Sequence, residues 1–490
     1  MTTPDLPPAP VAADGTSLAR VHMVGIGGAG MSAIARILAD RGLPVSGSDA
    51  KGSHVVTGLA QRGVLTAVGH RVENLDLLPG GPTVVVVSTA IRSSNPELAE
   101  ARRRGLPVLQ RAYALAALMT DRRSVCIAGT HGKTSTTSML TVALQAAGLD
   151  PSFAIGGELN ESGSGAHHGS GDIFVAEADE SDGSFLAFSP HGAVVTNLEP
   201  DHLDHHGTAE AYTAVFRQFV ERITPGGFLV LCLDDPGTRA LLAAEQGRPG
   251  SPRLLTYGFD AGADVRITDH RPSGHGGTAV VRLAGADIAG GVRELLLHLA
   301  VPGAHMLSNA VAALTAGVAL GVPAATMANG LARYTGVRRR FEYKGRAAGV
   351  SVYDDYAHHP TEVAAQLTAA RSMVTETGGR LVVVFQPHLY SRTRTFATEF
   401  AQALSAADVV VMLDVYGARE DPMPGVSGEL ITRQIDVSGT GVPAVHYLPS
   451  LAAVPAAVGE LVQPGDLLIT MGAGDVTMLG PQLLNHLEQR

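Results

Sequence analysis

The sequence predicts an α/β protein of three domains, each built on a mostly parallel sheet. The chain has 490 residues, more than a single hydrophobic core usually accommodates. Apolar stretches of strand length alternate with helical patterns along most of the chain, which is typical of βα units. Two of these strands lead into glycine-rich turns that precede helices. We expect a disordered tail over residues 1–18, followed by domains at 19–118, 119–335 and 336–490.

Composition and charge narrow the class of protein. Apolar residues make up 45% and charged residues 17% of the chain, as in folded proteins. The formal net charge of -10, without a basic block, argues against nucleic acid as a partner. No apolar run reaches the roughly 18 residues of a membrane helix, and the start lacks a signal-peptide pattern. We therefore expect a cytoplasmic protein without membrane insertion, either a monomer or a homodimer.

The first glycine-rich turn begins the first domain. A predicted strand at 20–24 runs into Gly25–Gly30, which fits the G-x-G-x-x-G pattern, and the acidic Asp49 follows about 20 positions later. This predicts a Rossmann-like domain. Backbone N–H groups near a pyrophosphate would serve UDP as well as NAD, and a turn that only packs helix on strand also fits. A strand at 82–87 would bring Ser88 to the same rim.

The second glycine-rich turn begins the central domain. A strand at 125–128 precedes Gly129-Thr-His-Gly-Lys133-Thr134, and a helix follows. In such a loop Lys133 can reach the β- and γ-phosphates, and the Thr134 hydroxyl can bind Mg²⁺. The loop has two residues between its glycines where the general pattern has four, so a tight turn with a solvated lysine is the alternative. Lys133 is one of only three lysines, with Lys51 and Lys344.

Acidic residues and histidines follow the next two strands of this domain. A strand at 172–176 delivers four carboxylates within six residues, from Glu177 to Asp182, and these repel one another unless they are solvated or hold a cation. We expect Mg²⁺ between one carboxylate, Thr134 and nucleotide phosphates. A strand at 192–196 delivers Asp201, His202, Asp204, His205 and His206. Their composition also allows zinc, but the neighbouring phosphate loop favours an oxygen-binding metal.

The remaining sequence completes the central domain and adds a third. Short strands between residues 226 and 291 suggest antiparallel or edge structure. Then His305 and Asn309 fall four residues apart on one face at the start of an alanine-rich helix, although helix capping would also account for them. In the last domain, strands at 350–353 and 381–385 end in polar clusters. Two further βα units follow and predict a second Rossmann-like domain.

Eight blocks of this sequence together resemble the Mur ligases, the ATP-dependent amide-forming enzymes of peptidoglycan precursor synthesis. They are GIGGAGMS, GTHGKTSTT, EADESDGSF, NLEPDHLDHHG, PGAHMLSN, RRFE, DDYAHHPTE and FQPHLYSRTRTF, in the family's order over almost the whole chain. The resemblance implies an N-terminal UDP-sugar-binding domain, a central P-loop ATPase-like domain and a C-terminal domain that brings the amino acid. Within the family, the blocks are most similar to members that join L-alanine to UDP-N-acetylmuramate.

The resemblance also implies roles for individual residues. It assigns the UDP-sugar to Gly25, Gly27, Gly28, Ala29, Gly30, Asp49, Ser88, Ala90 and Ile91. It assigns ATP to Gly129, Thr130, His131, Gly132, Lys133, Thr134, Ser135, His305 and Asn309. Mg²⁺ would be bound by Thr134, Glu177 and His202, and the amino acid by Tyr356, His358, His388 and Arg392. The implied catalytic residues are Lys133, Glu177, His202, His358 and Arg392.

Two positions depart from the family pattern. Later-acting relatives use a carbamylated lysine for a second metal, but this chain has no lysine between Lys133 and Lys344. Met306 replaces the first asparagine of the block that meets adenine. Three alternatives stay open at this point: a ligase that joins a preformed peptide to the same UDP-sugar, a nicotinamide oxidoreductase, and a nucleotide-binding scaffold without catalysis.

Overall fold

The structure is a computed structural model that describes residues 9–284, 293–418, 420–435 and 444–489, apart from the side chain of Asp204. It divides into two compact units. The first holds the described residues up to Thr268, those between Val281 and Leu295, and Asn309–Arg333. The second holds Asp269–Val280, Leu296–Ser308 and the described residues from Tyr334 onward.

The first sheet has five parallel strands in the order β3-β2-β1-β4-β5. Its central strand β1 is the point where the strand order reverses, and ligands of open α/β sheets bind beside such a point. The strands are β1 Val21–Val24, β2 Val45–Asp49, β3 Leu65–Val68, β4 Val84–Val87 and β5 Val108–Gln110. The helices are α1 Ala29–Asp40, α2 His54–Gln61, α3 Pro96–Arg103 and α4 Arg111–Met119.

The predicted disordered tail is wrong for its described part. Val11 forms a β-bridge with Ser17, and the Leu18 N–H donates to the Pro10 carbonyl at 2.9 Å. Ala12 and Leu18 belong to the same hydrophobic core as the first sheet, because burying two apolar side chains favours folding the segment back. The part of the predicted tail at residues 1–8 lies outside the described residues.

The second sheet has ten strands in the order β15-β14-β13-β12-β11-β10-β6-β9-β7-β8. They are β6 Arg123–Ala128, β7 Ser152–Ala154, β8 Ala166–His167, β9 Ile173–Glu177, β10 Gly192–Val195, β11 Phe228–Cys232, β12 Arg253–Gly258, β13 Val265–Ser273, β14 Gly276–Leu283 and β15 Glu294–Leu299. The helices are α5 Lys133–Ala146, α6 Leu203–His206, α7 Ala209–Glu221, α8 Pro236–Glu245, α9 Ala304–Ala319 and α10 Ala324–Leu331.

The antiparallel or edge structure predicted after residue 226 is wrong for two strands. β11 pairs in parallel with β10, and β12 pairs in parallel with β11, so both continue the parallel part of the sheet. Phe228–Cys232 is buried throughout, which is typical of parallel strands covered on both faces. The crossover between β11 and β12 is made by α8, whose start at Pro236 is capped by the Asp235 side chain.

The third sheet has six strands in the order β16-β17-β21-β18-β19-β20, and β16 is antiparallel to β17 at one edge. The alternate residues of β18 enter two different hydrophobic clusters, one on each face. The strands are β16 Glu342–Ala347, β17 Val350–Asp355, β18 Leu381–Phe385, β19 Val409–Met412, β20 Ala444–Tyr447 and β21 Leu467–Met471. The helices are α11 Pro360–Thr377, α12 Tyr390–Thr395, α13 Ala397–Leu404, α14 Glu429–Thr432, α15 Val454–Leu461 and α16 Leu479–Glu488.

The helix signals in the sequence have direct counterparts in the structure. α11 begins with Pro360 in its first turn, and His359 with Glu362 forms a capping box there. In the part of the chain that the structure describes, no helix combines the length and hydropathy that spanning a bilayer requires.

Candidate functional site

The first glycine-rich loop lies at the carboxyl end of β1, next to the end of β2. The Gly25 N–H donates to the Ser48 carbonyl at 2.8 Å, and the Gly27 N–H donates to Asp49 Oδ2 at 2.9 Å. A Cβ on Gly27 would lie 2.9 Å from the same oxygen, and a Cβ on Gly25 would lie 3.0 Å from Ile91. The structure therefore brings Gly25, Gly27, Asp49 and Ile91 together, as the sequence predicts.

The other residues expected at this loop are placed around it. The Ile91 N–H donates to the Ser88 carbonyl at 3.1 Å, which closes a turn after β4. Gly28 is the N-cap of α1 without any side-chain capping bond. Ala90 is exposed, and Ala29 begins α1 with an exposed side chain. Their positions beside the N-terminus of a helix suit an anionic ligand.

Arg111 is a charged residue at this loop that sequence reasoning missed. A Cβ on Gly30 would overlap its Nη1 atom, so the guanidinium lies directly against the start of α1. Arg111 Nη2 also lies 3.4 Å from Asp179 Oδ2, which places it between the first loop and the acidic segment after β9. Its position in the sequence, about 80 residues from Gly30, gives no signal of this contact.

The second glycine-rich loop follows β6 and needs its two glycines for steric reasons. Gly129 has a φ of 127° and Gly132 a φ of 80°, a region that favours glycine. A Cβ on Gly129 would overlap the Thr196 hydroxyl, and one on Gly132 would lie 2.6 Å from Asn309 Oδ1. Asn309 of α9 therefore lies against the loop that was predicted to bind ATP, as expected for a residue of the same site.

Asn197, at the end of β10, fixes the shape of this loop. Its Oδ1 accepts from the His131 N–H at 2.8 Å, and its Nδ2 donates to the His131 carbonyl at 3.1 Å. The Thr130 N–H donates to the Asn197 carbonyl at 3.2 Å. The His131 ring forms a hydrogen bond with Glu199. The amide and imidazole groups of Thr130 and His131 thus build the loop, a role that sequence reasoning did not assign to them.

Lys133 lies in the centre of the loop and is surrounded by oxygen atoms. Its Nζ donates to the Gly129 carbonyl at 2.7 Å and to the Thr130 carbonyl at 3.1 Å. The two carboxylate oxygens of Glu180 lie 3.0 Å and 2.9 Å from the same nitrogen. The Glu180 side chain is 1% exposed. The ammonium group is therefore fixed where loop, strand end and helix start meet.

The charges of this cluster depend on one another. Burial disfavours the charge on Lys133, but Glu180, Asp179 and Glu177 outweigh burial and raise its pKa. Burial raises the pKa of Glu180 to about 7 despite the opposing effect of Lys133. A buried carboxylate of this kind needs its cation. Neither residue is a solvated surface charge, so the alternative of a tight turn with a solvated lysine is wrong.

Two of the three residues predicted to bind Mg²⁺, Thr134 and Glu177, are in direct contact. Thr134 Oγ1 donates to Glu177 Oε2 at 2.9 Å, and the Gly156 N–H reaches the same oxygen at 2.9 Å. An adjacent hydroxyl and carboxylate at a phosphate loop fit a hard cation. His202 instead lies beside Asp201 at 3.6 Å and beside Glu180 at 4.0 Å. The structure thus joins Thr134 to Glu177, and places His202 on the Lys133 side of the cluster.

The histidines after β10 do not converge on one another as zinc ligands would. His206 Nε2 lies 2.9 Å from the Glu180 carbonyl oxygen, so that ring nitrogen is engaged with the backbone. The rings of His205 and His206 meet edge to face at 4.9 Å. These contacts are structural, and they favour the oxygen-ligated site over zinc.

His305 and Asn309 share α9, but their neighbours differ. Whereas Asn309 meets Gly132, His305 lines a cavity of the second unit together with Pro272, Ala369 and Glu376. Burial lowers the pKa of His305 to about 4, so the imidazole is neutral at neutral pH. The structure describes each residue in its own unit, and a shared contact with adenine stays a prediction.

Three of the four residues predicted to bind the amino acid form a row of rings in the second unit. The Tyr356 and His358 rings lie 5.2 Å apart, and the His358 and His388 rings 5.5 Å apart. Tyr416 extends the row by stacking on His388 at 5.9 Å, a contact that the sequence did not indicate. Burial, assisted by the charge of Arg392, lowers the pKa of His358 to about 3.

Arginines surround the start of this row. Arg392, on α12, is 7% exposed, a rare state for an arginine unless its charge is compensated. The guanidinium groups of Arg339 and Arg340 lie 4.7 Å and 5.1 Å from the centre of the Tyr356 ring, within cation–π range. Arginine cations beside the neutral His358 imidazole suit a ligand that carries a carboxylate.

Comparison with known families gives three matches that together cover most of the chain. Residues 20–123 match "Mur ligase family, catalytic domain", residues 127–317 match "Mur ligase middle domain", and residues 339–474 match "Mur ligase, glutamate ligase domain". The chain belongs to the Mur ligase family, which is a family of ligases.

Named relatives refine this class. The chain is 62% identical over 483 residues to the UDP-N-acetylmuramate–L-alanine ligase of Saccharopolyspora erythraea, covering 98% of this chain and 96% of that protein. It is 54% identical over 498 residues to the protein of that name from Mycobacterium tuberculosis, covering 100% and 97%.

Solved structures agree with these relatives. The fold is similar to the crystal structure of UDP-N-acetylmuramate-alanine ligase from Thermotoga maritima, with a TM-score of 0.78, 27% identity, and coverage of 96% of this chain and 99% of that chain. A murein peptide ligase from Psychrobacter arcticus matches with a TM-score of 0.70 at 24% identity, over 96% of this chain and 99% of that chain. This second likeness shows the fold alone.

Proposed function

We propose that this protein is an ATP-dependent ligase that joins L-alanine to the lactyl carboxylate of UDP-N-acetylmuramate and releases ADP and phosphate. The observation that carries the proposal is that one glycine-rich loop holds both Lys133, which donates to the Gly129 carbonyl, and Thr134, which donates to Glu177. Full-length relatives at 54–62% identity bear the name of this activity. Such a reaction would place the protein in peptidoglycan precursor synthesis, in the cytoplasm, where ATP is available.

Three segments would divide the substrates among them. We propose that residues 19–118 bind the UDP-sugar, 119–335 bind ATP, and 336–490 bind the amino acid. Gly25, Gly27 and Asp49 support the first assignment because they form a tight loop at the switch point of the sheet. UDP is favoured over NAD at this loop because the whole chain is similar to ligases that act on a UDP-linked sugar.

The first chemical step would activate the carboxylate. An oxygen of the lactyl carboxylate attacks the γ-phosphorus of ATP, the bond from that phosphorus to the bridging oxygen breaks, and ADP leaves as an acyl phosphate forms. Lys133 would donate hydrogen bonds to phosphate oxygens and stabilise the charge of the transition state. Thr134 and Glu177 would hold Mg²⁺, which supplies further positive charge to the phosphates when bound. His202 is a proposed third ligand.

The second step would form the amide. The alanine amine attacks the acyl carbon, phosphate leaves with the bonding electron pair, and the nitrogen loses a proton. Arg392 would pair with the alanine carboxylate, and Tyr356, His358 and His388 would line its position. His358 has a strongly lowered pKa, so it is neutral and can accept a hydrogen bond. Positioning the amine against the acyl carbon supplies much of the acceleration.

Phosphate release, measured with each substrate omitted in turn, tests this function. We expect release only when ATP, UDP-N-acetylmuramate and L-alanine are all present. A tripeptide offered in place of alanine separates this activity from that of a peptide-joining ligase. Faster release with the tripeptide, or reduction of NAD without ADP formation, would contradict the proposal.

A further inference from the structure

The ammonium group of Lys133 already has a full set of partners within the protein. Two carbonyl oxygens and both oxygens of Glu180 lie within 3.1 Å of its Nζ. An ammonium group donates three hydrogen bonds. Phosphate oxygens can therefore bind Lys133 only if at least one of these acceptors gives way.

Glu180 is built into the fold as a fixed acceptor. Its backbone carbonyl is bound by His206 Nε2 at 2.9 Å. The Tyr212 hydroxyl lies 3.5 Å from its Oε1 and 2.9 Å from the Thr130 hydroxyl. Tyr212 and Glu180 are both fully buried. Because both side chains are buried, the Glu180 carboxyl group is held beside Lys133 and not in solvent.

A phosphate that enters this loop meets a cation and an anion at the same time. Phosphate binding is then weakened by two effects: the Lys133–Glu180 ion pair is lost, and the remaining carboxylate repels the phosphate. Asp179 also carries a negative charge near Lys133, but its side chain is 42% exposed and its field is weakened by water. Glu180 is thus the carboxylate with the larger effect on anion binding.

We propose that Glu180 is the internal counter-ion of Lys133 and disfavours nucleotide or phosphate that arrives without a divalent cation. Glu180 is a positioning residue, because it acts on phosphate through the lysine. The proposal rests on the ATP site proposed above and adds a selectivity that the reaction itself does not require. A cation held by Thr134 and Glu177 would offset the negative charge of Glu180, whereas a metal-free nucleotide has no such compensation.

Calorimetric titration of the full-length protein with ADP, in EDTA and separately in Mg²⁺, tests the proposal. We expect Glu180→Gln to bind metal-free ADP about tenfold more tightly than the unchanged protein, since one charge-assisted pair no longer competes. The ratio of the metal-free to the Mg²⁺ dissociation constant should fall accordingly. A metal-free affinity that is unchanged or weaker in Glu180→Gln would overturn the proposal.

Asp179→Asn is the matched control, because it removes one negative charge at the position next to Glu180 without removing any of the Lys133 contacts. It should tighten metal-free ADP binding by less than about threefold. An effect equal to that of Glu180→Gln would show a general charge effect and would overturn the assignment to Glu180. If the unchanged protein does not bind ADP under either condition, the ATP site itself is contradicted.

A thermal-unfolding cycle tests the pair without any ligand. Lys133→Met leaves Glu180 buried without its cation, so we expect its Tm to fall by about 5 °C or more. Adding Glu180→Gln to Lys133→Met should recover most of that loss. A double variant no more stable than Lys133→Met would show that the two side chains are not coupled and would overturn the proposal.

Discussion

The two glycine-rich loops of the first unit share a backbone plan and differ in where their charges come from. Both follow a buried parallel strand and precede a helix. In the first loop the neighbouring strand supplies a carboxylate, Asp49, that binds a loop N–H, and the cation is the distant Arg111. In the second loop the amides are bound by the neutral Asn197, and the cation, Lys133, is part of the loop.

This difference shows that a strand–loop–helix junction sets the place of an anion without fixing the chemistry done there. A carboxylate on the loop amides, as at Asp49, orients the backbone and leaves the helix N-terminus for a ligand that only has to bind. A lysine inside the loop, with a hydroxyl and carboxylate beside it, is suited to a phosphate that must react. We expect changes at each loop to affect one nucleotide and not the other.

Lys133→Ala should have the largest effect and the most selective one. We expect turnover to fall by at least about 100-fold, because one fixed charge at the transferred phosphate is lost. UDP-N-acetylmuramate binding should remain nearly unchanged, since Lys133 donates its hydrogen bonds within the second loop and to Glu180. Steady-state phosphate release and equilibrium binding of the UDP-sugar measure the two effects. Turnover close to that of the unchanged protein would contradict the role of Lys133.

Arg392→Ala should leave both loops unaffected and act on the third substrate. We expect the KM for alanine to rise about 10- to 100-fold, because a charge-assisted pair with the substrate carboxylate is removed. The KM values for ATP and the UDP-sugar should change little, and Arg394→Ala on the same helix is the control. An unchanged dependence on alanine would place the amino-acid site elsewhere.

Alanine at a single glycine of each loop compares the loops most directly. Gly132→Ala puts a side chain at a φ of 80° and against Asn309, so ADP affinity should fall about tenfold from a strain of 1–2 kcal/mol. Gly30→Ala meets the flexible end of Arg111, so UDP-sugar affinity should fall only about threefold. Each variant should bind the other nucleotide normally. Loss of both affinities in either variant would show that the loops are not independent.

One contribution to the pH dependence of stability should arise outside both loops, at His358, and should be the smallest of these effects near neutral pH. The folded-state pKa of His358 is about 3, below the unfolded value near 6.5. The unfolded state therefore binds more protons, and the contribution of His358 is present above pH 6.5 and lost as the pH falls toward 3. We expect His358→Asn to lose less stability than the unchanged protein between pH 6.5 and 4.5. If denaturant titrations show that both proteins lose the same free energy of unfolding over this pH range, His358 is not a source of the pH dependence.

Much of the fold could be predicted because the strands of a parallel sheet are short apolar runs. Val84–Val87 and Leu381–Phe385 are continuous apolar runs, which are buried in a sheet. The neighbouring helices have clear start signals such as Pro360. The errors lie where turn residues closely flank the apolar runs. Phe228–Cys232 and Arg253–Gly258 were assigned to edge structure, since turn residues around them hid the helical crossover.

Within the site, the residues in continuous motifs were predictable, and those supplied from a distance were not. Gly27 with Asp49, and Thr134 with Glu177, were expected together and lie within 2.9 Å of each other. Arg111 was not expected, because nothing in its neighbourhood differs from an ordinary helix start. Glu180 was expected only as one of four carboxylates, because sequence spacing does not tell which of them is buried.

The amino-acid sequence by itself determined the three sheets, the two glycine-rich loops and the family, because hydrophobic periodicity and glycine placement are local properties of the chain. The tertiary structure decided which charge meets which. Asp49 binds an amide, Glu177 binds a hydroxyl and Glu180 binds Lys133, and burial sets the strength of each contact. The physical reason is that electrostatic energy depends on distance and on the exclusion of water, and only the folded chain fixes both.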